Sequence, residues 1–266
     1  MNMLQSRRGG VVLAVWATLT AVGVRAENLV YLAKGGEPIR AKTIEWREGS
    51  QEYRVTTLDG TILPLPKAQV ERLEIDKPPE FDKAAQMIGA KQFDAAIPVL
   101  NELVTKYRML VWDNRARELL ARAHLAKNEP KKAVATLEDM FVSLPKAQAP
   151  LEIHTLYWQA LLAAGSPGLR KELDEAVASG SREMAAAAQI MRGDMNRAAG
   201  QKEAALLDYL RTAILFEQVK SVQPEALFKA AEMLDELRDR RAEELRKKLL
   251  QEYPGSEFAA RLSGKT

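Results

Sequence analysis

The sequence predicts a mainly α chain, a run of stacked helical pairs behind a short all-β segment. Three observations carry this. Beyond Pro79 the strong helix formers Ala, Leu, Glu, Lys and Arg dominate, broken at short, spaced interruptions. Alanines at matching places in four amphipathic runs, Ala96, Ala133, Ala205 and Ala242, stand 37, 72 and 37 residues apart, and the middle gap is two steps of 36. Residues 28–76 read instead as five short alternating runs between turn residues.

From the start of the 266-residue chain, residues 1–26 read as a secretory signal. Arg7 and Arg8 form a charged opening, Val11 to Val24 is an apolar run of 14 residues, and Val24-Arg25-Ala26 offers a small-residue cleavage site. Fourteen residues fall short of the roughly 20 a helix needs to span a bilayer. Gly10 and Val11 stand where a twin-arginine signal carries Phe and Leu, so the general secretory route is expected. The formal charge of +3 resides in this segment, as Arg7, Arg8 and Arg25 leave 36 basic against 36 acidic residues after them. A neutral mature chain gives no support to nucleic-acid or anionic-membrane binding. The absence of cysteine removes lipid anchoring through a lipobox, disulfides, and thiolate chemistry.

The β segment, residues 27–77, is expected to hold strands over Leu29–Leu32, Ile39–Trp46, Tyr53–Leu58, Thr61–Leu65 and Val70–Ile75. Asp59-Gly60 is the clearest hairpin signal and suggests a two-residue turn with positive φ at both positions. Pro64 and Pro66 place the fourth strand at an edge. With Leu32, Gly35, Ile39, Asp59-Gly60, Leu65-Pro66 and Val70, the segment resembles the SH3-like modules that precede helical repeats in some bacterial envelope proteins. That resemblance implies a small barrel, with Tyr31, Trp46 and Tyr53 as a candidate aromatic platform for a peptide. Lys77-Pro78-Pro79 ends the sheet, and residues 78–266 form the helical part.

Helical breaks fall at Asn128-Glu129-Pro130, Gly165-Ser166-Pro167-Gly168, Gly180-Ser181 and Gly200. Pro98 is tolerable if its helix begins at about Asp94, where backbone N–H groups lack intrahelical partners. The stretch Ile190 to Leu215, with Gly193, Gly200, Ala205, Tyr209 and Thr212, resembles a tetratricopeptide repeat, in which small residues let two helices approach while a bulky one fills the next turn. Tyr253-Pro254-Gly255-Ser256 with Ala259 resembles the junction common in periplasmic proteins of that family. Five pairs follow, the third degenerate, with its second helix starting near Leu169. The third pair lacks the usual alanine in its second helix, and the first has Met87 and Gly89 in place of the typical aromatic and small residues, so an irregular superhelix and a partly closed groove are expected.

No catalytic motif is present: no His-Glu-x-x-His, phosphate loop or Gly-x-Ser-x-Gly. His124 and His154 lie in different pairs and read as packing residues, while Asp235-Glu236 and Glu243-Glu244 read as solvated, salt-paired faces. The stripe His154, Tyr157, Trp158, Leu161 and the methionines Met184, Met191 and Met195 read as packing. No cofactor or metal is expected. The repeat resemblance implies a concave groove with inward polar side chains at Arg115, Arg122, Thr155, Gln159, Asp194 and Arg197, able to take an extended peptide or a helix of a partner. The expectation is an exported, soluble, non-catalytic interaction scaffold of the periplasm or cell envelope with a protein or peptide partner. An enzyme or binding module acting on peptidoglycan or polysaccharide, and a self-associating structural protein, are the alternatives.

Overall fold

The computed structural model describes residues 28–264, the side chain of Ser179 excepted. The signal reading of residues 1–26 lies outside the described residues. A five-stranded antiparallel sheet precedes a TPR-like succession of helical pairs.

The strands are β1 (Asn28–Leu32), β2 (Ile39–Arg47), β3 (Glu52–Thr57), β4 (Ile62–Pro66) and β5 (Val70–Glu74), in the order β4-β3-β2-β1-β5. The expected barrel is not formed: β4 and β5 are the two edges of an open sheet. The prolines explain one side of this. Thr57 N–H bonds Thr61 and Lys67 N–H bonds Gln51, so on β4 the odd-numbered residues face β3 and Ile62, Pro64 and Pro66 face outward. Two of these three outward positions have no N–H to give. The β3–β4 hairpin also differs from expectation. Only Gly60 is left-handed (φ 89°), and Gly60 N–H reaches the Thr57 carbonyl at 3.1 Å, which makes a three-residue loop of Leu58, Asp59 and Gly60. Asp59 keeps an ordinary backbone and uses its carboxylate to accept from Thr61 N–H at 3.1 Å.

The sheet does not close its own core. Val30, Ala41, Ile44, Tyr53, Val55 and Leu73 pack with Leu110, which is 5% exposed and arrives from the helical part with Tyr107 and Met109. Tyr53 Oη donates to the Met109 carbonyl at 3.3 Å, and the Trp112 indole donates to the Ile75 carbonyl at 2.8 Å.

The helices are α1 (Pro79–Gly89), α2 (Phe93–Lys106), α3 (Trp112–Ala126), α4 (Pro130–Ser143), α5 (Leu151–Ala163), α6 (Leu169–Ser179), α7 (Arg182–Ala198), α8 (Lys202–Leu215), α9 (Gln223–Glu236), α10 (Ala242–Glu252) and α11 (Glu257–Leu262). They make five antiparallel pairs and a closing helix, with α6 starting at Leu169 as the spacing requires. Ala96, Ala133, Ala205 and Ala242 are all buried where paired helices meet. One turn recurs in every pair. Lys91, Asn128, Gly165, Gly200 and Arg238 are each left-handed, with φ between 58° and 74°. The next residue's N–H reaches back five residues, as in Gln92 to Met87, Glu129 to His124, Ser166 to Leu161, Gln201 to Asn196 and Asp239 to Leu234. This is one Schellman cap used five times. Pro98 lies in the second turn of α2, which begins at Phe93, and leaves the Asp94 carbonyl without its helical N–H.

The third pair is irregular for a visible reason. Trp158 stands where the other pairs carry Ala84, Ala121, Gly193 and Ala231, and α5 packs mainly on α4 and α7 while α6 packs on α7. Trp158 fills the resulting gap between Leu169 and Leu173, its indole donating to Glu172 at 2.9 Å. At the end of the chain Ser256 caps α11, accepting from Ala259 N–H at 3.1 Å, and Ala259 joins the core of the last pair.

Candidate functional site

The first helices of pairs two to five, α3, α5, α7 and α9, share one face, and that face carries a groove of about 320 Å³. Its floor is apolar: Leu151, Leu156, Ala187, Ile190, Met191 and Val222. Arg122, Glu152, Thr155, Gln159, Ser221 and Glu225 supply its polar rim. Thr155 Oγ1 donates to the Leu151 carbonyl one turn back at 3.0 Å, which turns its methyl group toward other neighbours. Arg122 is held by Glu118 at 3.0 Å, and Glu225 by Lys229 at 2.6 Å.

Of the six groove positions the sequence pointed to, Arg122, Thr155 and Gln159 therefore stand together. Arg115 lies two turns from Arg122 on α3 and lines a separate groove beside the sheet. Asp194 and Arg197 are committed to the stack between repeats. Asp194 accepts from Tyr209 Oη at 2.7 Å and pairs with Lys229 at 2.7 Å, while Arg197 pairs with Glu232 and Glu236, both at 2.8 Å. Burial works against the charge on Lys229, but Asp194 and Glu225 outweigh it and raise its pKa. Burial, the Asp194 charge and the hydrogen bond to it push the Tyr209 hydroxyl well up. Glu152, Ile190, Met191 and Glu225 complete the groove and were missed, because one repeat's register says which face a residue occupies but not which neighbouring repeat it meets.

The aromatic residues of the sheet separate. Trp46 and Tyr53 are cross-strand partners with ring centroids 4.9 Å apart and belong to the sheet core. Tyr31 sits apart from them, under the Arg72 guanidinium at 3.8 Å and hydrogen-bonded to Glu74 at 3.2 Å. No single platform unites the three.

The titratable groups point to structure. Burial lowers the His154 pKa, and its Nε2 lies 3.0 Å from the Lys146 carbonyl, so the neutral ring donates there. His124 Nδ1 lies 2.7 Å from Glu129. Asp208, 3% exposed, gathers Gln189 at 2.5 Å, Asn196 at 2.7 Å and Arg192 at 3.0 Å, tying α7 to α8. Glu48, Asp59, Glu129, Glu236 and Asp239 are all lowered, each chiefly by a hydrogen bond from a neighbouring side chain, which is opposite to the shift a general acid needs. Among the described residues, no group of three or more His, Asp or Glu could hold a metal, and no helix is long and apolar enough to cross a membrane.

No protein-family model matches the chain, and no curated protein matches it. Solved structures with a similar fold include that of MamA protein, at 17% identity and a TM-score of 0.44 over 65% of this chain and 88% of that one. TTC0263, a thermophilic TPR protein in Thermus thermophilus, is similar at 16% identity and a TM-score of 0.45, over 70% of this chain and 96% of that one. YrrB, a TPR protein with an unusual peptide-binding site, is similar at 15% identity and a TM-score of 0.41, over 71% and 92%.

Proposed function

We propose that this protein is a non-catalytic interaction scaffold of the cell envelope that holds an extended peptide or a helix of a partner protein in the groove of α3, α5, α7 and α9. The observation that carries the reading is the convergence of Arg122, Thr155 and Gln159, from two repeats, over an apolar floor supplied by three. Apolar depth supplies affinity, and a few polar tips fix register. The charged opening, apolar run and small-residue site of residues 1–26 support export, and a mature N-terminus at Glu27 is the expected product.

A photo-reactive residue placed at Gln159 in cells tests the groove, with the same residue at exposed Lys247 on α10 as the control. Cross-links to one partner are expected from Gln159 alone. The paired reversal Arg122→Glu and Glu152→Arg should abolish them with the thermal midpoint unchanged, since both side chains are exposed. Equal yields from both positions, or a yield indifferent to the reversal, would remove the groove as the binding site.

A further inference from the structure

The two edges of the sheet are unlike. β4 presents Pro64 and Pro66 outward, whereas β5, Val-Glu-Arg-Leu-Glu, has no proline and, among the described residues, no strand on its outer side. Residues 70–73 of that edge line a groove of about 570 Å³ whose opposite wall is α3 and the α4–α5 connection. The floor includes Val111, Leu144, Pro145 and Ile153. Val111 is held in an unusual state. Its φ is 74° and ψ −50°, and Trp112 N–H donates to the Leu110 carbonyl at 2.8 Å, closing a three-residue γ-turn. A β-branched residue in this turn is strained, and Val111 is still 44% exposed. Strain that leaves an apolar side chain in an open groove is a mark of a binding surface.

The charges choose the ligand. Lys67 has no charged partner among the described residues, and Arg115 reaches Glu118 only at 3.9 Å while Arg122 holds Glu118 at 3.0 Å. Arg72 is occupied by Glu74 and Tyr31. Against Lys67 and Arg115, Glu71 is the one carboxylate of the groove without a counter-ion among the described residues. We infer that β5 receives an extended acidic segment of a partner protein, apolar at every second residue, as a sixth strand. Alternate side chains of a strand point to opposite faces, so one set enters the apolar floor and the other stays toward solvent, where the exposed charges of Lys67 and Arg115 at the rim favour acidic residues. This site is separate from the groove of α3, α5, α7 and α9.

The probe is a capped peptide of alternating Val and Glu, with two isomers N-methylated on alternate residues, one along each edge. Hydrogen exchange of the chain is measured with and without each peptide. The parent peptide and one isomer should slow exchange of the 70–74 amides by about tenfold or more, and the other isomer should not, because only one peptide edge pairs with β5. Lys67→Glu with Arg115→Glu, both exposed, should abolish protection by the Val-Glu peptide and confer it on a Val-Lys peptide. Gln159→Arg, which alters the concave groove and lines nothing here, should leave protection unchanged, which separates failure here from failure of the concave groove. Equal behaviour of the two isomers, no protection at 70–74, or protection that appears without peptide as copies dimerise would overturn the assignment.

Discussion

Gly193 and Tyr209 show how one missing methyl group sets the spacing of two helices. A Cβ at Gly193 would overlap the Tyr209 ring, which is fully buried and donates its hydroxyl to Asp194. The ring therefore occupies space that only glycine leaves, and the bond to Asp194 carries that contact on to Lys229 of the next pair. Gly193→Ala should destabilise the chain by about 1–3 kcal/mol, the usual cost of overpacking a tight core. Urea unfolding checks this, and an unchanged midpoint would mean that α7 and α8 can separate freely. Asp208 plays the complementary polar part, since its carboxylate neutralises Arg192 and satisfies Gln189 and Asn196 where water is excluded. Neither role is visible from composition, but both lie inside the Ile190–Leu215 stretch whose residues first suggested the repeat.

The recurring Schellman turn marks how much of the architecture was readable and where reading stopped. Gly165, Gly200 and Asn128 announce their turns because glycine and asparagine tolerate positive φ. Lys91 and Arg238 occupy the same position in the first and last pairs, and nothing in a lysine or an arginine signals a helix end. There the five-residue back-bond and the packing of the next helix impose the backbone. Replacing each by glycine, Lys91→Gly and Arg238→Gly, should raise stability by about 1 kcal/mol per site, and thermal melts of the single and double variants give the measurement. A loss would show that the side chain contributes more than the strain costs. The alanine spacing was readable for a related reason: close helix approach tolerates few residues, so position and identity are linked. The open sheet was not, because closure depends on how β4 and β5 meet across the molecule. The groove was half readable, with Arg122, Thr155 and Gln159 placed by register within a repeat and Asp194 and Arg197 drawn off by partners on α9.

Across the whole molecule the sheet and the first helical pair share one core, since Leu110, Tyr107 and Met109 complete the sheet's apolar cluster. Leu110→Ala should cost about 2–5 kcal/mol, and it should lower sheet and helix transitions together. Circular dichroism followed beside hydrogen exchange of the strand amides would show this, and two separate transitions would contradict a shared core. The helix α11 packs over the last pair, with Phe258 against Phe228 of α9 at 5.5 Å. The proline-blocked β4 edge has a consequence for assembly. Polymerisation by strand pairing needs two bonding ends on every unit, and this sheet has one. A strand that pairs with β5 joins a sheet whose far edge is closed by proline, so the chain has a valence of one through its sheet.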